Sequence, residues 1–484
     1  MNRVRFLLVA SIVSLGACAE PPMQPMSGAD ATTSRSAHAR GKGSNTAKSY
    51  VVIATDNALP GTLEAGIVAA GGSVVSRMDG IGVVTVTSSD ANFARKAGQL
   101  SGVHAVVDDQ PLEFAAPRFA AANSVRSSAK ATAHAVGAHE TYRLIQWAPD
   151  AVSAPAAWAQ GALGQGARVA ILDGGIYDIH ADLAANFDAA RSRSFVPGQP
   201  YDSDTGPFWH GTHVAGIVAA SANDFGTIGI APQATLIGVK VLHSGTGFFS
   251  WVIQGIYYAA TPIAEGGAGA HIINMSLTAR VSGRDPGLAF LLNALNRATS
   301  YANGRGAIVI AGAGNDAVDL DHTGNTVYIP AQSVGVLAIS ATGPLGFAHG
   351  ATNFDRPASY TNFGQSAISF AGPGGDFVLP GNALCTYPVL PEGTESAFCW
   401  LLDMVIAPCR GTERPPNFAF CWSAGTSMAA PAVAGVAALI VGKYGPMHPS
   451  QLESRLRASA DDLGKPGVDD FYGHGRVNAA RAIQ

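Results

Sequence analysis

The chain has 484 residues, which is long enough for two or three domains, and 47% of them are hydrophobic, which is ample for a large core. Only 13% are charged, and the net charge is −4 with no basic stripe along the sequence. Because nucleic-acid surfaces need clustered lysine and arginine, this charge pattern gives no case for a nucleic-acid partner.

The first 18 residues have the pattern of an export signal. Two arginines precede an apolar stretch at 6–15, which at about ten residues is too short to span a membrane as a mature helix. The segment ends in LGAC, which resembles a bacterial lipoprotein box, and Cys18 is therefore the predicted site of lipidation. An ordinary signal peptide cut near Ala17 or Ala19 is the alternative. No other stretch is long and apolar enough to predict a membrane span.

Residues 19–48 are rich in Pro, Ser, Ala, Gly and Thr and carry few large apolar side chains, a composition typical of a disordered tether. Signal and tether together predict export from a bacterial cell. The protein would then be held by its lipid in the outer membrane or periplasm, or released outside the cell after processing. This lipid is the one membrane contact that the sequence predicts.

Residues 49–110, here called the N-terminal unit, predict a small α+β fold. Apolar runs and turn signals follow one another in the order β-α-β-β-α-β, which is the ferredoxin-like pattern. The predicted strands are 50–54, 73–76, 82–87 and 103–107, and the predicted helices are 61–70 and 91–100. Residues 111–144 are rich in Ala and Ser and show no hydrophobic periodicity, which predicts a linker.

Three segments of the main domain, residues 145–484, place a polar residue at the end of an apolar run. Asp173 ends the strand-like run VAILD, and His210 opens a helix-like run of small residues. Ser427 opens another in GTSMAAP, where unpaired N–H groups of a helix N-terminus would stabilise a developing negative charge. Taken singly, each has a structural explanation, such as a helix cap. Together they predict an acid, a base and a nucleophile, because sites in parallel α/β sheets form at the carboxyl ends of strands.

The order Asp, His, Ser is one of the orders found in serine hydrolases. The segments around these residues resemble the three catalytic blocks of the subtilisin-like serine proteases, the subtilases. A fourth segment, IVIAGAGN at 308–315, resembles the block that ends in the oxyanion-binding asparagine, here Asn315. Neither a Gly-x-Ser-x-Gly elbow around Ser427 nor a His-Glu-x-x-His metal motif is present in the sequence.

The resemblance covers about residues 145–480. It implies a three-layer α/β fold with a mostly parallel sheet flanked by helices, and hydrolysis of peptide bonds through an acyl-enzyme. It also implies a substrate cleft lined by Ser276, Leu277, Gly312, Ala313 and Gly314, although 271–277 would serve equally well as a plain buried strand. Where the family often has two glycines, this chain has Thr278 and Ala279, which are expected to narrow the P1 or P4 subsite. Trp209, beside the histidine, would either wall a subsite or fill the core.

In the same family a unit like the N-terminal unit is an inhibitory propeptide that assists folding and lays its C-terminal tail in the active site. The resemblance therefore implies processing within 111–144, and an independent small domain is the alternative. The expected partners are protein or peptide substrates and the propeptide itself. No cofactor is required for the chemistry. Subtilases often bind structural calcium, but the sequence predicts no position for it, and the metal ligands stay unknown.

Four of the five cysteines lie close together before Ser427, in a segment at 380–421 that resembles an insertion relative to the family. In an exported chain, an even cluster predicts two disulfides, for which three connectivities are possible. We favour Cys385–Cys399 and Cys409–Cys421, because sequential pairing closes short loops. A four-cysteine zinc site is the alternative, although Cys-x-x-Cys pairs are absent from the sequence. The prolines of this segment predict a loop region at the mouth of the site, which would shape specificity or limit autolysis.

The sequence thus predicts the exported precursor of a serine endopeptidase. Two alternatives stay open: a catalytically silent binding protein that keeps the fold, and a processing protease with one dedicated substrate. The intact set of Asp173, His210, Asn315 and Ser427 argues against the first alternative.

Overall fold

The structure is a computed structural model and describes residues 47–114, 118–126, 135–203, 209–410 and 417–484, without the side chains of 118–126 and 417. All of these residues belong to one compact unit, Thr46–Gln484. The predicted signal, the lipidation site Cys18 and almost all of the tether lie outside the described residues.

The N-terminal unit contains the six elements predicted for it. Its strands form one antiparallel sheet in the order β2-β3-β1-β4, which is the ferredoxin-like arrangement. Val52, Ile67, Val86 and Phe93 form its core between the sheet and the two helices. The bounds are β1 (Lys48–Ala54), α1 (Leu63–Ala69), β2 (Ser73–Met78), β3 (Val83–Ser88), α2 (Phe93–Ala97) and β4 (Val103–Asp108), and two further strands follow, β5 (Pro111–Glu113) and β6 (Arg118–Arg126).

The main domain alternates strands and helices. Its elements in chain order are α3 (Ala148–Ala151), α4 (Ala154–Trp158), β7 (Arg168–Asp173), β8 (Arg193–Ser194), α5 (His210–Ala219), β9 (Thr235–Lys240), β10 (Leu242–His243), β11 (Thr246–Phe248), α6 (Phe249–Ala260), β12 (Ile272–Met275), β13 (Ala279–Ser282), α7 (Pro286–Gly304), β14 (Ile308–Gly312), β15 (Thr326–Ile329), β16 (Val336–Thr342), β17 (Phe370–Pro373), β18 (Leu384–Pro388), β19 (Thr394–Phe398), β20 (Val405–Cys409), β21 (Asn417–Ala424), α8 (Thr426–Tyr444), α9 (Pro449–Ser459) and α10 (Ala479–Ala482).

A seven-stranded parallel sheet in the order β17-β16-β14-β12-β7-β9-β8 forms the middle layer. Strand β7 is buried on both faces: Ile171 packs into the core layer that holds α5 and α8, and its neighbours Ala170 and Leu172 pack into the layer that holds α6 and α7. A parallel sheet covered on both faces needs such continuous apolar strands. The predicted three-layer α/β fold is confirmed.

Helix α8 is the apolar centre of one layer. By length and composition it could cross a membrane, so the expectation that no segment after the signal could do so is wrong for this stretch. Its most apolar window is 89% buried inside the protein, which is the position of a core helix. Small residues permit this close packing: a Cβ on Gly435 would lie 2.5 Å from the Ile230 Cβ.

The predicted linker differs from the structure at two strands. Residues 111–113 form β5, which pairs antiparallel with β11, and residues 118–126 form β6, which pairs antiparallel with β21. The Ala-rich composition of this segment has no strand periodicity of its own. Its backbone groups pair instead with the strand edges of β11 and β21 in the folded main domain. Such tertiary pairing overrides the low strand propensity of the segment.

The segment predicted as a stapled loop region contains two hairpins, β18–β19 and β20–β21. One disulfide joins Cys385 to Cys399 with a Cα–Cα distance of 5.0 Å, and the other joins Cys409 to Cys421 at 5.8 Å. Strand β20 is buried along its whole length, so this part of the segment belongs to the core.

Candidate active site

Asp173 and His210 meet at the carboxyl end of the central sheet. Asp173 is the last residue of β7 and is 1% exposed, and His210 is the first residue of α5. The His210 Nδ1 atom lies 2.8 Å from Oδ2 and 3.0 Å from Oδ1 of the carboxylate. Because a carboxylate only accepts, Nδ1 carries the proton, and Nε2 is the nitrogen that can act as a base.

A glycine permits this approach between strand and helix. A Cβ on Gly211, the second residue of α5, would lie 2.3 Å from the Gly175 carbonyl oxygen and 3.0 Å from the Asp173 Cβ. The backbone N–H of Gly174 also donates to Asp173 Oδ1 at 2.7 Å, which orients the carboxylate. The motif around His210 therefore needs glycine for steric reasons.

Ser427 is the second residue of α8 and is 6% exposed. Its hydroxyl donates to the Ser276 carbonyl oxygen at 3.1 Å, and the Ser276 hydroxyl donates to the Ser427 carbonyl oxygen at 2.8 Å. The Asn274 amide donates in turn to the Ser276 hydroxyl at 2.9 Å. The segment after β12 thus holds the start of α8, and this explains why Ser276 is buried.

Asn315 lies in the loop after β14. Its Oδ1 accepts from the Thr426 backbone N–H at 2.9 Å and from the Thr426 hydroxyl at 3.0 Å. A backbone N–H can only donate, so this contact assigns Oδ1 and leaves the Nδ2 donors directed elsewhere. Asn315 and Ser427 line one cavity of about 230 Å³, whose other walls include Gly314 and Thr278.

The five predicted cleft residues occupy different positions around this cavity. Gly314 lines it, and Ser276 contacts Ser427 as described above, while the Leu277 and Ala313 side chains are buried in the core. Gly312 presses against Thr426, since its Cβ would lie 2.9 Å from the threonine Oγ1. Next to these residues, Thr278 lines the cavity, and its hydroxyl donates to the Gly312 carbonyl oxygen at 2.8 Å.

Trp209 is buried, with 6% of its surface exposed. Arg410 lies over its ring, with the guanidinium carbon 4.1 Å from the ring centroid, and the Tyr177 ring meets it edge to face at 5.6 Å. This packing favours the core-filling interpretation of Trp209. Its backbone has φ of +53°, a left-handed conformation directly before His210.

Asn362 supports the site but was not predicted from the sequence. This buried amide donates to the Ala313 carbonyl oxygen at 2.9 Å and accepts from the backbone N–H groups of Asp316 and Val318. It therefore braces the loop that carries Asn315 from both sides. No local signal marks it, because a lone Asn in a loop is more often a turn residue.

The tail of the N-terminal unit lies at the same site. Glu113 and Phe114 line the same cavity as Ser427, and the Phe114 N–H donates to the Gly245 carbonyl oxygen at 3.0 Å. Just before the tail, Asp109 accepts from the backbone N–H and hydroxyl of Ser250 at the start of α6, at 3.1 and 2.6 Å. Burial raises the pKa of Asp109 above its ordinary value.

Two buried histidines hold the strand that leads to Ser427. Through Nε2, His213 contacts the Cys421 carbonyl oxygen at 2.9 Å, and His180 contacts that of Ala419 at 3.2 Å. Burial lowers the pKa of His213 to about 3 and that of His180 to about 4. His213 therefore packs and hydrogen-bonds within the core.

We expect the free energy of unfolding to fall as the pH drops below 6.5, by about 1.4 kcal/mol per pH unit for each of these histidines. The pKa of each histidine in the folded state lies below the ordinary value of 6.5. Below pH 6.5, therefore, these histidines bind protons in the unfolded chain but stay neutral in the folded chain. Urea titrations should compare the Ser427→Ala protein with a double variant that also carries His213→Gln, since glutamine can still donate to Cys421. The stability difference between them should shrink from pH 6.5 to 4.5; a constant difference would contradict the expectation.

Among the described residues, one group of His, Cys, Asp or Glu side chains brings three possible ligand atoms close enough for a metal ion. These side chains are His349, Cys385 and Cys399, and both sulfurs are in a disulfide.

The chain belongs to the subtilase family, whose family model matches residues 164–475. It is 35% identical over 345 residues to alkaline elastase YaB of Bacillus sp. (strain YaB), and the match covers 71% of each chain. It is 33% identical over 350 residues to subtilisin E of Bacillus subtilis (strain 168), covering 72% of this chain and 73% of that one. It is accordingly a subtilisin-like serine endopeptidase.

Solved structures agree on the fold. The epidermin leader peptide processing serine protease of Staphylococcus aureus matches 90% of this chain and 98% of its own, with a TM-score of 0.68 at 20% identity. A lanthipeptide protease matches 70% of this chain and 93% of its own, with a TM-score of 0.56 at 27% identity.

Proposed function

We propose that Ser427 is the nucleophile, His210 the general base and Asp173 the acid that orients it. In this mechanism Ser427 Oγ attacks the scissile carbonyl carbon and passes its proton to His210 Nε2. His210 then gives that proton to the leaving amine, and water hydrolyses the acyl-enzyme by the reverse sequence. The observation that carries the proposal is the 2.8 Å contact between the His210 Nδ1 and Asp173, which selects the tautomer that a base requires.

The oxyanion of the tetrahedral intermediate would be bound by the Asn315 Nδ2 and the Ser427 backbone N–H. The contact of Oδ1 with Thr426 supports this assignment, because an amide anchored through its oxygen presents its nitrogen without reorganisation. The N-terminal end of α8 adds a partial positive charge at the same place. In the ground state Ser427 donates to Ser276, so we propose that its hydroxyl rotates away from that carbonyl when substrate enters.

We further propose that the N-terminal unit is an inhibitory propeptide of an exported precursor. Its support is positional: β5 pairs with β11, and Glu113 and Phe114 line the cavity of Ser427. A tail in that position excludes peptide substrates. Export, with lipidation at Cys18 and anchoring in the outer membrane or periplasm, is proposed from the signal sequence alone.

A fluorophosphonate probe tests the proposed chemistry. The processed protein should be labelled at Ser427, as located by mass spectrometry, and the Ser427→Ala variant should stay unlabelled. A silent binding protein would show neither labelling nor peptide hydrolysis. Labelling at another serine would refute the assignment while leaving the enzyme class intact.

A processing protease with a dedicated substrate is the second candidate. It is favoured by the likeness to a lanthipeptide protease and by Thr278, which lines the cavity beside Ser427 with a side chain larger than glycine. Cleavage profiles on a peptide library separate the candidates: a narrow consensus supports the dedicated protease, and broad cleavage supports a general one.

Replacing Asn315 with alanine should lower kcat about 100- to 1000-fold with little change in KM, because the lost donor acts mainly on the transition state. Steady-state kinetics on a chromogenic peptide measure both constants. Asn353→Ala is the matched control, since this exposed amide only accepts from the Asp355 backbone N–H in a surface loop. A rise in KM with kcat unchanged would mean that Asn315 serves ground-state binding.

A further inference from the structure

Three side chains with metal-binding atoms meet away from the candidate active site. A nitrogen of the His349 ring and the sulfurs of Cys385 and Cys399 lie within 4.8 Å of one another. We call these three residues the His-Cys cluster. Cys399 is buried, Cys385 is half-buried and His349 is exposed, so the cluster opens to solvent on the histidine side. An ion therefore has an entry path to it.

The two cysteines are held together by contacts that do not depend on their disulfide. Strands β18 and β19 pair with Cys385 opposite Ala397, and the Cys399 N–H donates to the Ala383 carbonyl oxygen at 2.9 Å. The Tyr387 side chain, which is 2% exposed, fixes the hairpin in the core. Because these contacts use backbone groups and an aromatic ring, the two sulfurs stay close together when the bond between them is opened.

Hydrogen bonds hold His349 next to the same cysteines. His349 ends one short helical turn, and Cys399 begins another, which ends at Asp403. The Asp403 carboxylate accepts from the Gly346 and Phe347 N–H groups at the start of the first turn, at 2.8 and 2.7 Å. This carboxylate is fully buried, so water does not compete for those bonds. The two turns that carry ligand atoms are therefore fixed to each other.

The donor set specifies the kind of metal. Two thiolates and one imidazole are ligands that zinc prefers, whereas calcium and magnesium prefer oxygen. In a tetrahedral zinc site with Zn–S bonds of about 2.3 Å and Zn–N bonds of about 2.0 Å, the ligand atoms lie about 3.5 to 3.8 Å apart. The span of 4.8 Å in the cluster accommodates that spacing. Three protein ligands leave the fourth position to water.

We propose that the reduced chain binds one zinc ion through His349, Cys385 and Cys399, and that the zinc site and the disulfide are alternative states of this cluster. A dithiol reductant opens the disulfide: the two sulfurs gain two electrons and two protons, and the dithiol becomes a disulfide. Zinc then displaces both thiol protons and takes the neutral imidazole as its third ligand. Transfer of two electrons to an oxidising disulfide re-forms the S–S bond and releases the ion. A chain made in a reducing compartment starts with free thiols, so the zinc state precedes the disulfide.

The chain offers two matched variants. The double variant Cys385→Ser/Cys399→Ser keeps His349 and the buried pair Cys409 and Cys421, which no third ligand atom joins among the described residues. The variant His349→Ala keeps every thiol and changes one exposed side chain. Cys18 is present in both, so it does not account for a difference between them.

Metal binding should be measured on the full-length protein in the Ser427→Ala background. The protein is reduced with dithiothreitol, freed of it without air, and titrated with Co²⁺ and then with Zn²⁺. We expect one cobalt ion per chain, with the thiolate charge-transfer band and the intense visible bands of a tetrahedral site, and its displacement by one equivalent of zinc. The oxidised protein and the double cysteine variant should show no such bands, and His349→Ala should bind zinc at least about ten-fold more weakly. The proposal is overturned by a reduced protein that does not bind, by equal bands in the double variant, or by an affinity independent of His349.

Thermal unfolding shows whether the folded chain holds the ion. Zinc should raise the Tm of the reduced protein and leave that of the double cysteine variant unchanged, because an ion that binds the folded state stabilises it. Binding without a rise in Tm would place the ion on thiols of the unfolded chain, which also overturns the proposal. Since every sample carries Ser427→Ala, these results are independent of the proposed catalysis, which the fluorophosphonate probe tests separately.

Discussion

Ser427→Ala should lower kcat for peptide hydrolysis by about a million-fold, the order expected when a triad member is removed. The alanine leaves α8 and its apolar surroundings in place, and it removes only the hydroxyl that donates to Ser276. Residual hydrolysis would come from the oxyanion site and substrate binding. The measurement is kcat on a chromogenic peptide, with active sites of the wild type counted by the fluorophosphonate probe.

The matched control for this variant is Ser454→Ala. Ser454 lies on the exposed face of α9, where its hydroxyl donates to the Ser450 carbonyl oxygen at 2.7 Å. This change should leave kcat within about two-fold of the wild type, since surface substitutions of this kind move stability by only about 0.5 kcal/mol. If Ser427→Ala keeps more than about a hundredth of the activity, another residue is the nucleophile.

Asp173→Asn should lower kcat about ten-thousand-fold with little effect on KM. Asparagine has nearly the shape of aspartate, but its amide nitrogen would donate to His210 Nδ1 in place of the contact at 2.8 Å. The imidazole proton would then lie on Nε2, the nitrogen that has to accept from Ser427. The variant should fold, because a neutral amide is no harder to bury than a carboxylate at a site 1% exposed.

Asp150→Asn controls for the loss of a carboxylate elsewhere. Asp150 lies on the surface and pairs with Arg143 at 2.7 Å, so its replacement should leave kcat unchanged. The measurement is kcat and KM of both variants on a chromogenic peptide. An Asp173→Asn enzyme with nearly full kcat would show that another group orients His210.

The candidate site residues could be predicted because neighbouring residues in the sequence mark their positions. Asp173, His210, Ser427 and Asn315 each stand where an apolar run begins or ends, so their placement at one edge of a parallel sheet follows from the pattern of the chain. The six elements of the N-terminal unit were predicted for a similar reason, since each has a strong period and clear turn signals.

Residues 111–126 could not be predicted in this way. The hydrogen bonds of β5 and β6 go to β11 and β21, which lie well over 100 residues further along the chain. The same holds for Asn362, which acts only through the loop that folds against it. The hydropathy of α8 fits a membrane span as well as a core helix, and only its surroundings decide between them.

The sequence by itself determined the family, the layered fold and the identity of the candidate catalytic residues, because these depend on residue type and on short periodic patterns. The tertiary structure alone decided which edges the segment at 111–126 pairs with, how β20 and β21 are built into the core, and which atoms hold Asn315 and Ser427. The physical reason is that every residue except proline offers the same backbone donor and acceptor, so residue type does not show which distant strands will pair. Their pairing is set only when the chain folds.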